Sequence, residues 1–176
     1  MGLFLHDLSQ TIRELMLAEI ESDIGESKLY ISDRLTSYGR QDFSRLLQEA
    51  ARSHDEVWLA GQLGADGMFN ASLTRCTARG LATVKMPRNA NETLAEGEFN
   101  RYYLRALCVF ALRNNIRRLR IYRAKAVSRP GAEAQALVGK WIDAERLLDA
   151  LRTNMGDEAV SGLPGGLNSG LSAELI

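Results

Sequence analysis

The sequence predicts an α+β fold: a small, mainly three-stranded sheet packed by two long helices, preceded by a helical N-terminal segment and followed by an extended C-terminal tail. Three observations carry this expectation. Apolar residues recur at three- and four-residue steps through the first third of the chain. Short β-type segments then interrupt that pattern at residues 72–77, 81–86 and 118–127. Beyond residue 154 periodicity stops and glycine becomes frequent. The expected divisions are a helical segment over 1–67, an α+β core over 68–153 and a glycine-rich arm over 154–176.

The first helix is expected over residues 6–24. Leu5, Leu8, Ile12, Leu15, Met16 and Ile20 form its apolar face, and Gly25 stops it. Thr36 or Ser37 caps a second helix bearing Phe43, Leu46, Leu47 and Ala50. Ser53 or Asp55 opens a third with Val57, Trp58, Leu59 and Leu63, and Gly61, Gly64 and Gly67 end it. Two strands flank the connection Ala78-Arg79-Gly80, and Pro87, which has no donor for a ladder, stops the second. A long helix follows from about Glu92 to Asn114. Asn89 or Asn91 is its cap, Glu92 stands in capping-box register with Asn89, and Phe99, Tyr103, Ala106, Leu107 and Phe110 form its buried stripe. Asn114-Asn115 ends it, since asparagine tolerates the left-handed conformation. The strand at 118–127 places Leu119, Ile121 and Val127 on one face and Arg118, Arg120 and Tyr122 on the other. After the breaker Pro130-Gly131, a last helix carries Leu137, Trp141, Ala144, Leu148 and Leu151 on one side. The tail, with five glycines and one proline, spans about 75 Å if extended.

At 176 residues and 45% hydrophobic composition, the chain is long enough to hold a core without metal or disulfides. Cys76 and Cys108 have no metal-site spacing and read as reduced, partly buried thiols. No cofactor is expected. Met1–Leu5 is apolar, but His6 and Asp7 follow without a basic region before them, so no secretion signal is expected. No uncharged run in the folded part approaches the ~20 residues of a membrane helix. The strand–helix–strand stretch 81–127 lacks the glycine-rich turn that cradles phosphate. His6 and His54 stand outside any nucleophile–base spacing. Glu92, Glu96 and Glu98 at the start of the long helix read as dipole-favouring carboxylates. No enzymatic activity and no small-molecule substrate are expected.

The strongest signal is charge segregation. The chain balances 22 Lys and Arg against 22 Asp and Glu, yet residues 99–132 hold nine basic residues and no acidic one. Residues 1–26 hold six acids and one base, and residues 133–176 hold seven acids and three bases. Arg101, Arg105, Arg113, Arg117, Arg118, Arg120, Arg123 and Lys125 are therefore the candidate interaction residues, with Arg129 completing the block and Tyr102, Tyr103 and Tyr122 interleaved. Arginine binds carboxylate and phosphate through a planar fork. Three readings stay open: a solvated face with internal ion pairs, contact with an acidic protein surface, or nucleic acid. A net charge of zero weighs against a dedicated nucleic-acid binder.

The stretch Asn89-Ala-Asn-Glu-Thr-Leu-Ala-Glu-Gly-Glu-Phe-Asn-Arg-Tyr-Tyr-Leu-Arg-Ala-Leu-Cys108, with Ile121-Tyr-Arg-Ala-Lys125 and Trp141-Ile-Asp-Ala-Glu145, resembles small proteins of the structural gene clusters of tailed phages and prophages. The resemblance covers about residues 85–152 and brings no functional residues with it. It implies a virion-associated structural role, made in the bacterial cytoplasm. The expected activity is capsid decoration or cementing, or another head-associated contact role. The expected partners are the major capsid protein or neighbouring copies of the chain, and the alternative is nucleic-acid binding through the basic helix–strand unit 101–129.

Overall fold

The computed structural model describes residues 2–78, 80–127, 131–154 and 169–176. Helices α1 (Gln10–Gly25), α2 (Ser37–Ser53) and α3 (Glu56–Leu63) come first. Strands β1 (Ser72–Thr77) and β2 (Gly80–Lys85) form an antiparallel hairpin. Helix α4 (Ala90–Arg113) leads to β3 (Arg118–Arg123), and then follow α5 (Ala132–Leu137), β4 (Trp141–Asp143), α6 (Ala144–Thr153) and β5 (Leu171–Glu174). The α+β class holds.

Each helix start has a local chemical cause. The side chains of Ser9, Thr36 and Asp55 accept from the backbone N–H of Ile12, Gly39 and Trp58, which supplies orphan donors of the first turns of α1, α2 and α3 with partners. Helix α1 thus begins at Gln10, four residues later than the periodicity implies. Leu5 and Leu8 belong instead to a non-helical strap that crosses the sheet. Asn89 sits at the cap position of α4 but makes no side-chain cap bond, which corrects the capping-box expectation. Asn91 instead donates to the Ala60 carbonyl of α3 at 2.9 Å. Asn115 takes φ +61° just past α4, as the helix stop requires.

Helix α4 is the axis of the fold. Sixteen of its 24 residues are buried, so it is covered nearly all round rather than along one stripe. Helices α1, α3 and α6 pack on it, and so does the three-stranded sheet. One hydrophobic cluster runs continuously from Ile12, Met16 and Phe43 through Phe99, Tyr103 and Leu107 to Leu119, Leu148 and Leu171. The N-terminal helices and the α+β part therefore share a core.

The sheet has the expected size but different members. Its order is β4-β3-β5, all antiparallel, and the β1–β2 hairpin stands outside it. Leu119 and Ile121 face inward, as the alternation requires. The strand ends at Arg123 because Ala124 and Lys125 both donate to the Gly170 carbonyl, which turns the chain away from the ladder. Val127 lies beyond the strand and is 38% exposed, which corrects its assignment to the inner face. The single last helix is also corrected. Gly139, at φ +83°, breaks it, and Trp141–Asp143 pair with Arg118–Arg120. Asp143 then caps α6 by accepting from the Arg146 N–H at 3.0 Å.

The expected glycine-rich arm divides. Residues 155–168 lie outside the described residues. Residues 171–174 pair with β3 of their own chain, and all four are buried. Gly170 enters this strand at φ +73°, close against the Lys125 carbonyl. Fully buried Asn100 of α4 donates to the Leu171 carbonyl at 2.9 Å and accepts from the Ser172 hydroxyl at 2.8 Å. The Tyr103 hydroxyl donates to the Ala173 carbonyl, and Asp7 accepts from the Leu175 N–H at 2.9 Å. Two residues three apart on α4 thus supply donors to the Leu171 and Ala173 carbonyls of β5.

Candidate functional site

The eight candidate cations separate into three groups. Arg101 and Arg105 are 2% and 3% exposed and belong to no surface, which corrects their reading as interaction residues. Arg101 pairs with Glu98 and donates to the carbonyls of Leu151 and Asn154, so its charge meets the C-terminal end of α6. Arg105 grips Asp23 with its two terminal nitrogens and Glu19 with its Nε–Nη2 edge, and Arg152 of α6 closes the network onto Glu19. Burial alone would raise the Glu19 and Asp23 carboxyls. The hydrogen bonds and charges of Arg152 and Arg105 outweigh it at Glu19, and those of Arg105 with the Tyr102 hydroxyl outweigh it at Asp23, so both stay below the ordinary values. This network ties α1, α4 and α6 together. An arginine at the i+4 position from another, on a helix buried on every side, must be paired inside. Sequence periodicity alone does not show that α4 is so covered.

The second group is anchored at the surface. Arg120 donates to Glu174 at 2.7 Å, and Glu174 also accepts from His6. Arg123 donates to the Gln135 side chain at 3.1 Å and to the Ser169 carbonyl at 3.4 Å. Lys125 pairs with Glu96. Much of this face of β3 is already covered by the strap 2–8. The His6 ring stacks on Tyr122 with centroids 4.0 Å apart. The Tyr122 hydroxyl donates to the Phe4 carbonyl at 2.8 Å, and Phe4 N–H donates to the Ala124 carbonyl at 2.8 Å.

The third group is Arg113, Arg117 and Arg118. They lie at the end of α4 and the start of β3, they are exposed, and their side chains make no hydrogen bond or ion pair among the described residues. Arg118 pairs in register with Asp143, whose carboxylate is engaged in capping α6. Trp141 stands two residues before it on β4, opposite Arg120, and is 53% exposed. Side chains of directly and diagonally opposed residues share a sheet face within reach of a single ligand. The result is a small basic surface with an aromatic beside it.

Chemically this surface offers recognition of anionic groups. It brings together no nucleophile and base. Burial pushes the Cys108 thiol up to about 12, and burial chiefly pushes the Tyr122 hydroxyl to about 12, so neither ionises near neutral pH. Among the described residues no group of three His, Cys, Asp or Glu side chains is placed to hold a metal. A cleft of about 460 Å³ lies between the strap and the α2–α3 corner, beside Arg13, His54 and Trp58. Its arginine is engaged by the fold: Arg13 donates to the carbonyls of Ala50, Ala51 and His54 at the end of α2. Among the described residues no helix is long and apolar enough to cross a membrane. Comparison with family models, with curated proteins and with solved structures finds no match to this chain.

Proposed function

We propose that this protein is a non-catalytic assembly component that docks through Arg113, Arg117, Arg118 and Trp141 onto an acidic protein surface. The observation that carries the reading is the division of the basic block. Five of its candidate cations are held inside the fold or anchored to its own carboxylates, amides and carbonyls, and three remain together without a partner among the described residues. An acidic counterpart exists in the chain itself, where Glu14, Glu21 and Glu26 are exposed on or beside α1. A neighbouring copy is therefore a fitting partner, and the major capsid protein is the other. The phage resemblance of residues 85–152 supplies the setting: a head-associated structural protein of the virion. Nucleic-acid binding through the unit 101–129 is less supported, because Arg101 and Arg105 face inward.

Sedimentation velocity tests the docking. Self-association is expected at low salt and should weaken from about 0.01 M to about 1 M NaCl, as the Debye length falls from ~30 Å to ~3 Å. The variant Arg113→Glu/Arg117→Glu/Arg118→Glu should stay monomeric. Association that ignores salt and survives in this variant would overturn the docking surface. Mass spectrometry of purified particles tests the setting, and absence of the chain from them would remove the virion role.

A further inference from the structure

The β1–β2 hairpin has no structural work in the core. Its strands pair over six residues each, from Ser72↔Lys85 to Thr77↔Gly80, and pack almost wholly on each other. An isolated two-stranded ribbon is only marginally stable in water. This one extends about 20 Å at ~3.3 Å per residue. Leu81 near its tip is 78% exposed, the most exposed of the large apolar side chains among the described residues. Ser72, Thr74 and Thr83 are exposed along it.

Its charge is uniform. Arg75, Arg79 and Lys85 stand in the ribbon and Arg88 three residues past its end, with no Asp or Glu between Asn70 and Asn91. The flanking acids, Asp66 and Glu92, fall outside the ribbon. Lys85 and Arg88 are exposed and have no partner among the described residues. Charged side chains do protect open strand edges from aggregation, but either sign serves that purpose. A four-to-none bias in a chain of zero net charge points to a polyanion.

We infer that this hairpin is a nucleic-acid-binding arm that lays its basic ribbon along the phosphates of duplex DNA. A two-stranded ribbon fits the ~12 Å width of the major groove, and the exposed hydroxyls of Ser72, Thr74 and Thr83 and the cations Lys85 and Arg88 are available to the phosphate backbone. Leu81 supplies an apolar tip suited to a thymine methyl or a base step. Binding of this kind is sequence-tolerant and salt-dependent. The surface differs from the docking surface proposed above, so the two stand or fall separately.

Fluorescence anisotropy with a labelled duplex of about two helical turns (~21 base pairs) tests the arm. The wild type should bind with Kd of roughly 10⁻⁴–10⁻⁶ M near physiological salt. Each phosphate that loses its cation flattens the plot of log Kobs against log salt by ~0.9. Lys85→Ala/Arg88→Ala should therefore flatten that plot by about 2 and weaken binding about 60-fold near 0.1 M. Thr83→Glu on the exposed face should weaken it in the same direction. Arg117→Ala/Arg118→Ala should leave both readouts unchanged. Urea midpoints equal to wild type confirm that the variants fold. Absence of DNA binding at low salt overturns the inference. So does binding that disappears in the Arg117/Arg118 pair but persists in the ribbon variants. Labelled poly-L-glutamate bound as tightly as the duplex would assign the ribbon to acidic proteins and overturn it as well.

Discussion

Replacing Leu171 by alanine measures whether the chain's last strand belongs to the core. Leu171 is 0% exposed, its carbonyl is held by Asn100 of α4, and its neighbour in the ladder is Arg123. Leu→Ala at enclosed sites costs about 2–5 kcal/mol, and the cost rises with the cavity left behind. Leu171 is flanked by a rigid helix on one side and a paired strand on the other, so the site has little room to collapse and a cost near the middle of that range, about 3 kcal/mol, is expected. With a urea m-value of about 2 kcal/mol/M, the unfolding midpoint should fall by about 1.5 M. The comparison is Leu81→Ala, on the exposed ribbon, which should stay within about 0.5 kcal/mol of wild type. Removal of residues 169–176 should cost more than Leu171→Ala, because it also leaves Asn100 and Tyr103 without their strand. A Leu171→Ala midpoint equal to that of Leu81→Ala would refute the reasoning and return the C-terminal residues to the role of a free arm.

Arg105→Met should destabilise by about 3–5 kcal/mol in equilibrium unfolding, since it leaves Glu19 and Asp23 short of a buried partner; a near-neutral result would mean the network is not formed. Acid titration should show the same network. The Glu19 and Asp23 carboxyls are held below their ordinary values of 4.5 and 3.8, so their stabilisation is complete above about pH 4.5 and is lost as pH falls through the depressed folded values. Glu56 behaves oppositely: burial raises it above 4.5, so stability should rise slightly as pH falls from its folded value toward 4.5, and Glu56→Gln should lack that rise in urea midpoints taken across pH. Gly170→Ala forces a side chain into φ +73° against the Lys125 carbonyl and should cost about 1–2 kcal/mol, read by thermal unfolding; an unchanged melting temperature would show that the turn relaxes freely.

Some of the local chemistry of the helices was legible in the sequence, at α2, α3 and the end of α4, but not at the starts of α1 and α4 or across residues 132–153. Thr36 and Asp55 are short polar side chains just before an apolar run, and each is one of the two caps the sequence offers at its helix, beside Ser37 and Ser53. Asn115 takes the left-handed conformation where the helix had to stop. The charge segregation was equally plain, and it contained the three exposed arginines. What it did not contain was their separation from Arg101 and Arg105. All five look alike along the chain, and the distinction depends on what covers α4 from outside. Trp141 shows the same limit. Its spacing from Leu137, Ala144 and Leu148 fits a helix, but positive φ at Gly139 and a vacant edge on β3 draw it into a strand.

The amino-acid order by itself determined the α+β class, the narrow choice of caps for α2 and α3, and the β1–β2 hairpin with its uniform charge, because each depends on residues within a few positions of one another. Tertiary structure alone decided that Leu171–Glu174 complete the sheet, that Asn100 and Tyr103 donate to two of their carbonyls, and that two arginines are locked inside while three are left outside. Those outcomes join residues 48 to 133 positions apart. Burial and pairing at such separations are properties of the packed whole, and no local window of the sequence contains them.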